Sequence, residues 1–353
     1  MNVKKILFLV ASTIKLFIII LLFISNSKAE EANIKYYSDD KGILSLMYHR
    51  FNENRYPSTN IQMDTFKQQI EIIKKFKYNF YDPKLLEKNF NTIKIEKKIL
   101  ITIDDAFSSF YEVAWPYLKK EKIPFILFVS SEAVGKNGYM TWEQIKELEK
   151  ETIVYIGNHS HSHNYLVDLK NDDFIIDIDI SSSIFKKKLG YNPIFFSYPF
   201  GEYSSLVKKY ISKNFKFSFG QHSGVIDINK DPYQLPRFPI NEKYGDLKRF
   251  EFLINLHPLQ FKNLYPKEKY LTNNENPPKF SVEFFKEQKN LNNINCFSDE
   301  GNKWVKSNIH FNNNILTIKF REKFIFRRGR VNCSLNDNGI WRWFGVQFSI
   351  QQY

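Results

Sequence analysis

Asp104 and Asp105 stand side by side at the end of the aliphatic run Ile99-Leu100-Ile101-Thr102-Ile103, and the stretch Asn158-His159-Ser160-His161-Ser162-His163 follows further along the chain. Adjacent carboxylates repel unless a cation or a proton resolves the conflict. A dense histidine cluster at a strand end is a metal-ligand signal. In a helical turn His159 and His163 share a face at i and i+4 while His161 points away; in an extended strand all three align. The helical reading supplies two imidazoles, and one Asp of the pair completes a two-histidine, one-carboxylate site with positions left open. A cation held there acidifies water and polarises a substrate oxygen, while the other Asp takes up a proton. An iron oxygenase uses a ligand set of the same type. The adjacent Asp pair and the later Pro199-Phe200-Gly201 loop favour hydrolysis over it.

The elements that must position these groups are legible in the spacing of apolar residues. The run before Asp104 predicts a strand buried on both faces of a parallel sheet, whose C-terminal end is where active-site groups collect. Gly42 to His49 predicts another strand with His49 at its tip. Further strands are expected at Ile123–Val129, Ile153–Ile156, Ile194–Tyr198 and Phe217–Phe219, with an extended segment at Leu235–Ile240. Helices are expected at Phe66–Phe76 behind an Asp64 cap, Tyr111–Lys120, Trp142–Lys150 behind Thr141, Asp172–Leu189 with Gly190 as its stop, and Tyr203–Lys213. This alternation predicts a parallel α/β barrel or sheet. Asp168, Asp172, Asp173, Asp177 and Asp179 read as a helix start and its solvated face.

The chain changes style between about Tyr265 and Phe280, where Asn273, Asn274, Asn276, Pro277 and Pro278 predict a linker. Beyond it, Ile315–Phe320, Lys323–Phe326 and Trp341–Ile350 predict strands of a small all-β module. Turns are expected at Asn312–Asn314, Arg328-Gly329-Arg330 and Asp337-Asn338-Gly339. Trp341 and Trp343 share one strand face, as a sugar-stacking platform or as packing. The two cysteines, Cys296 and Cys333, both lie in this module and predict a disulfide in an exported protein.

Export is itself expected. Residues 1–29 combine Lys4 and Lys5, the apolar Ile6–Ile24 and a small-residue ending at Ser27-Lys28-Ala29, a secretory signal pattern directing the chain to the periplasm or the extracellular space. Lys15 interrupts the apolar run, an uncleaved anchor being the alternative, and with no cysteine near the cut lipid attachment there is not supported. The chain has 353 residues, 43% of them hydrophobic, enough for one large domain and a smaller one. Net charge is +13, or +9 without Lys4, Lys5, Lys15 and Lys28. Such a surface could draw anionic glycans, or make peripheral contact with a membrane or envelope face, although a general richness in Lys, Asn and Ile accounts for it. No basic run is interleaved with aromatics, so no nucleic-acid partner is expected.

Thr102-Ile103-Asp104-Asp105, His159-Ser160-His161-Ser162-His163 and Ser197-Tyr198-Pro199-Phe200-Gly201 resemble, in that order, the first three motifs of the polysaccharide deacetylases, carbohydrate esterase family 4. Leu46-Met47-Tyr48-His49 is similar to the subgroup that deacetylates exopolysaccharides. The resemblance covers roughly residues 42 to 240. It implies a distorted, incomplete (β/α) barrel, with Asp104 as general base and Asp105, His159 and His163 as ligands of a divalent metal, zinc by default. It implies the Phe200 main-chain N–H in an oxyanion site and leaves His257 as the late candidate for general acid. Tyr48, His49, Tyr198, Pro199 and Arg237 are the candidate substrate contacts.

Two positions depart from the pattern. Ala106 stands where a glycine is expected, and Ser197 replaces an arginine that supports the base. Either Arg237 substitutes from another strand or the base is less well held. A fourth motif is not evident. The expected organisation is a signal peptide over 1–29, a catalytic domain over 30–264, a linker over 265–280 and a β-rich domain over 281–353. The expected activity is metal-dependent removal of acetyl groups from an N-acetylhexosamine polysaccharide. An O-acetyl esterase, or a non-catalytic glycan-binding protein on the same scaffold, are the alternatives.

Overall fold

The computed structural model describes residues 42–89, 97–170, 172–227, 230–301 and 303–352. The expected signal segment, residues 1–29, lies outside them. No described helix is long and apolar enough to cross a membrane.

Six strands lie side by side in chain order and run parallel: β1 (Ile43–Tyr48), β2 (Lys98–Ile103), β3 (Phe125–Val129), β4 (Val154–Asn158), β5 (Phe195–Ser197) and β6 (Phe217–Phe219). Their side chains are mostly aliphatic or aromatic on both faces, with Ser45, Thr102, Asn158, Ser197 and Ser218 as buried polar exceptions, because helices cover one face and the curled sheet encloses the other. The sheet does not close by pairing β6 with β1. Instead an irregular segment spans the gap: Leu235 bridges Phe219 of β6, and β7 (Phe238–Pro239) pairs with Leu46 and Met47 of β1. The result is an incomplete (β/α) barrel whose seam is formed by the residues around Arg237.

Helices α1 (Met63–Lys75), α2 (Trp115–Glu121), α3 (Trp142–Glu149), α4 (Asp173–Leu189), α5 (Ser205–Asn214) and α6 (Leu247–Ile254) complete the domain. The Thr141 hydroxyl and the Gln144 side chain cap α3 reciprocally, and Gly190 ends α4 at φ 88°. Two expectations shift. Gln62 occupies the cap of α1, and Asp64 sits inside its first turn, where a carboxylate suits the positive helix end. A π-helical turn over Phe110–Ala114 precedes α2, so the expected single helix has two pitches.

The C-terminal region is all-β. Its larger sheet orders β8 (His257–Pro258), β12 (Ile340–Ile350), β11 (Arg328–Asp337), β9 (Ile294–Glu300) and β10 (Lys303–Lys306) as neighbours. A four-stranded sheet built from Asn263–Tyr265, Phe280–Glu283, Ile315–Ile318 and Ile309–Asn312 shares its core through Phe280, Leu316, Phe344 and Phe348. Within the expected linker, Tyr270–Leu271 pairs with β12. Arg328-Gly329-Arg330 is not a turn; it opens β11. Glycine is needed there because a Cβ on Gly329 would stand 2.2 Å from the Phe324 ring. Residues 323–326 form no strand, and Phe324 makes only an isolated bridge to Gly301.

Cys296 of β9 and Cys333 of β11 are directly opposed and joined by a disulfide. The loop it closes spans 37 residues, for which chain entropy predicts about 3–4 kcal/mol of stabilisation. Thiol labelling of the unreduced protein should find neither cysteine reactive, and Cys333→Ser should lower stability by about that amount. Two reactive thiols would remove the bridge.

Candidate active site

β2 delivers both carboxylates, and the backbone then separates them. Asp104 continues the strand, donating its N–H to the Tyr48 carbonyl at 2.9 Å, and is fully buried. Asp105 and Ala106 then adopt φ of 72° and 54°. This left-handed pair turns Asp105 out of the barrel while Asp104 faces inward. Alanine at such a φ costs about 1 kcal/mol relative to glycine. The Ala106 methyl is buried in the main core in return.

The histidine stretch is a loop rather than the helical turn that the i, i+4 spacing predicts. Ser160 and His163 have φ of 68° and 55°, and these two reversals bring the rings of His159 and His163 to 4.8 Å while His161 turns away onto Ser131. Asp177 of α4 fixes the loop: its two carboxylate oxygens accept from the N–H groups of His161 at 2.8 Å and Ser162 at 2.9 Å. Asp177 is therefore buried and structural, not part of a solvated helix face.

His159 and His163 present Nε2 to Asp105 Oδ1 at 3.5 and 3.3 Å. Ligand atoms about 2.0–2.2 Å from a shared tetrahedral centre stand roughly 3.4 Å apart, so the three groups fit one divalent cation. The tautomer fits as well. His159 Nδ1 lies 2.7 Å from the Ser197 carbonyl, an acceptor, so Nδ1 carries the proton and Nε2 is left as a lone pair. Burial pulls the His159 pKa down to about 4, against the opposing pull of Asp104, so the ring is neutral at neutral pH.

Arg237 resolves the missing arginine. From the seam it donates Nη1 to Asp104 Oδ1 at 2.6 Å and Nη2 to Oδ2 at 2.9 Å. Its remaining donors reach the Gly220 carbonyl, Thr102 Oγ1 and Ser197 Oγ. Serine at 197 leaves the space that the guanidinium fills. Burial alone would push the Asp104 carboxyl up, but the Arg237 charge, joined at acid pH by His159 and His49 once they are protonated, outweighs it and holds the pKa down to about 2.

An open cleft of about 520 Å³ lies above this cluster, bordered by His49, Asp105, His163 and Phe200. Other expected contacts are placed elsewhere. Arg237 is fully buried, so it holds Asp104 rather than substrate. Tyr48 faces α1, its hydroxyl on Gln69 at 2.9 Å. Tyr198 is enclosed with Phe196 and Tyr203 and donates to the Tyr233 carbonyl. Pro199 is buried at the start of the turn that carries Phe200. His257 follows α6 into β8 beside Arg342, and it is not among the residues bordering the cleft. His49 does border it, with Nε2 4.0 Å from Asp104 Oδ2 and its pKa lowered by burial.

The C-terminal region contributes what sequence reading missed. Arg328, Arg330 and Gln347 border the same cleft. Arg327 lies 3.5 Å over the Tyr165 ring, which stacks at 4.0 Å on Phe200, which meets His163 edge-on at 4.7 Å. Arg327 is anchored on Glu202 and Asp168, and Gln347 Nε2 donates to the Phe200 carbonyl at 3.2 Å. These contacts hold Phe200 at φ 58°, beside Gly201 at φ 70°. A Cβ on Gly201 would collide with Gln221 at 2.4 Å. The only local signal was the Pro-Phe-Gly motif itself.

Comparison with known proteins follows the same outline. A family model described as polysaccharide deacetylase matches residues 92–217. YxkH of Bacillus subtilis, by its name a polysaccharide deacetylase, is 25% identical over 199 residues, 56% of this chain and 70% of that protein. A poly-beta-1,6-N-acetyl-D-glucosamine N-deacetylase of Staphylococcus aureus is 23% identical over 232 residues, 58% of this chain and 80% of the relative. The structure of IcaB from Ammonifex degensii is similar at TM-score 0.56 and 25% identity, covering 61% of this chain and 98% of that one.

Proposed function

We propose that this protein hydrolyses the acetamide of N-acetylhexosamine units in an exported polysaccharide, a reading supported by the polysaccharide deacetylase family model that matches residues 92–217. The observation that carries the reading is the divergence of two adjacent carboxylates, Asp104 onto Arg237 and Asp105 onto two imidazoles. The amide is preferred to an ester because the Staphylococcus aureus relative is named an N-deacetylase.

In this reading Asp105, His159 and His163 hold the cation, zinc being the one we propose. When bound, it supplies Lewis acidity toward the carbonyl and lowers the pKa of water. Asp104 accepts the proton of the attacking water. Held down to about 2, the Asp104 carboxyl is ionised at neutral pH and so free to accept a proton; the cation, where bound, would supply the acidity that a base this weak needs in its partner. The Phe200 N–H, fixed from both sides by Gln347 and the Tyr165 stack, faces the developing oxyanion. His49, in place of His257, is the imidazole that would relay to the leaving amine the proton Asp104 takes from water, its Nε2 lying 4.0 Å from Asp104 Oδ2. Export is supported by the Cys296–Cys333 bridge, which belongs to oxidising compartments. The membrane or envelope contact has no support beyond the basic charge.

Purified, zinc-loaded protein should release acetate from N-acetylglucosamine oligomers. Absence of release there and from O-acetylated glycans, with metal bound, would leave a glycan-binding protein. The ligand assignment has its own test. Asp105→Ala and His163→Ala should each lose bound zinc, and one equivalent retained in both, measured by elemental analysis, would overturn it.

A further inference from the structure

Beside the cleft over Asp105 and His163 lies a second cavity of about 240 Å³, between α6 and the C-terminal sheet. Gln221, Pro239, Tyr244 and Arg330 border both, so the two adjoin. One strand runs along them. Arg328, Arg330 and Asn332 occupy alternate positions of β11 and therefore one face. Arg328 borders the catalytic cleft, Arg330 both spaces and Asn332 the second cavity.

The walls of this cavity have a specific chemistry. Tyr244, Phe252, Trp304 and Trp343 supply aromatic surface, Arg249 and Arg330 supply charge, and among the described residues no carboxylate borders it. Trp343 is fixed by its indole N–H on Ser223 Oγ at 2.8 Å, whereas Trp304 remains 42% exposed. Arg249 is partly engaged, with Nη1 on the Tyr244 carbonyl. Arg330 is not: its Nε is buried with no hydrogen-bond partner. Asp299 feels the Arg330 charge, but no ion pair of Arg330 is formed among the described residues. The two Nη groups of Arg330 make no hydrogen bond among the described residues either and are not enclosed like Nε, so the side chain that borders the cavity has donors left for an acceptor from outside.

We propose that the second cavity seats a uronate sugar adjoining the acetylated one in the polymer, its ring against Trp304 and Trp343 and its carboxylate on Arg330. The volume is below that of drug-sized sites, which suits a single ring. Aromatic faces take the apolar side of a sugar ring, and a guanidinium fork matches a planar carboxylate. This rests on the deacetylase reading, which places the acetylated unit over Asp105. It makes the substrate an acidic heteropolymer rather than a neutral homopolymer.

The test compares heparosan hexasaccharide, in which glucuronate alternates with N-acetylglucosamine, with the neutral N-acetylglucosamine hexamer. Acetate release gives kcat/KM, and tryptophan fluorescence gives affinity independently of turnover. The wild-type protein should prefer the acidic hexasaccharide at least tenfold in kcat/KM, with the preference shrinking as salt rises. Arg330→Gln should lower the acidic-to-neutral ratio by roughly tenfold, the worth of one charge-assisted contact, with Arg330→Lys between. A ratio unchanged in Arg330→Gln, or a wild-type preference for the neutral hexamer, overturns the proposal. Arg330-dependent binding of heparosan with no acetate released from either oligomer would keep the subsite and remove the deacetylase reading. Equal release from both, insensitive to Arg330, would do the reverse.

Discussion

Asp104→Asn should lower acetate release by about 10²–10⁴-fold while bound metal stays near one equivalent. The substitution is nearly isosteric and leaves Asp105, His159 and His163 untouched, so the donor set for the cation is unchanged. What disappears is the capacity to take a proton at Oδ1 or Oδ2, and with it half of a buried ion pair. An amide can still accept from Arg237 through its oxygen, but its NH₂ then faces Nη1 or Nη2. Some loss of thermal stability therefore accompanies the loss of rate. Circular dichroism at the assay temperature separates the two effects. A folded, metal-loaded Asp104→Asn protein with undiminished turnover would remove Asp104 as the base.

Arg237→Leu should cost about 3–5 kcal/mol, because it strands a fully buried carboxylate without its cation. Arg237→Lys should cost less, since it keeps the charge and loses the fork. The pH dependence of the difference identifies the cause. In the native protein Asp104 is held to about 2, below the usual 3.8. A depressed carboxyl contributes stability that is present above about pH 4 and lost as pH falls through 4 towards 2. Without Arg237 the burial contribution dominates and pushes the carboxyl above its usual value. That group then costs stability at neutral pH, and acidification relieves the cost. The gap in melting temperature between wild type and Arg237→Leu, measured with chelator present, should therefore narrow from pH 7 to pH 4. A gap that stays constant would show that Arg237 acts by packing alone. The acid limb of the rate profile should move upward in Arg237→Lys.

The residues that do chemistry were legible where their signal was local. An unbroken aliphatic strand followed by two acids needs no long-range knowledge, and the same holds for a strand ending in alternating histidines. Backbone reversal is not visible in that way: the left-handed φ of Asp105, Ser160 and His163 leaves no periodicity. Tyr48 and Tyr198 were candidate substrate contacts through the motifs that contain them; β1 and β5 are buried on both faces, so no alternation was available to show that Tyr48 in β1 and Tyr198 just after β5 point away from the cleft. Asp177 was hidden among acids that do face solvent. Arg237 was legible only as an answer to the gap at Ser197. The least legible feature was Arg328-Gly329-Arg330, where a glycine between charged residues signals a turn. Its true reason, the Phe324 ring pressed on Gly329, is a contact that only the folded C-terminal sheet defines.

The brace on Phe200 has a consequence for how the protein is made. Glu202 and Arg327 are 125 positions apart, and Phe200 and Gln347 are 147. The barrel strands that carry the carboxylates and histidines leave the ribosome well before Arg327 and Gln347 do, and long-range contacts of this kind form late. A nascent chain that has completed β6 already contains Asp105, His159 and His163, the proposed ligands, yet lacks the residues that brace its Phe200 turn. On the proposed reading, catalytic competence would arrive only with the final stretch of translation, and a chain ending before residue 327 is expected to bind zinc without releasing acetate.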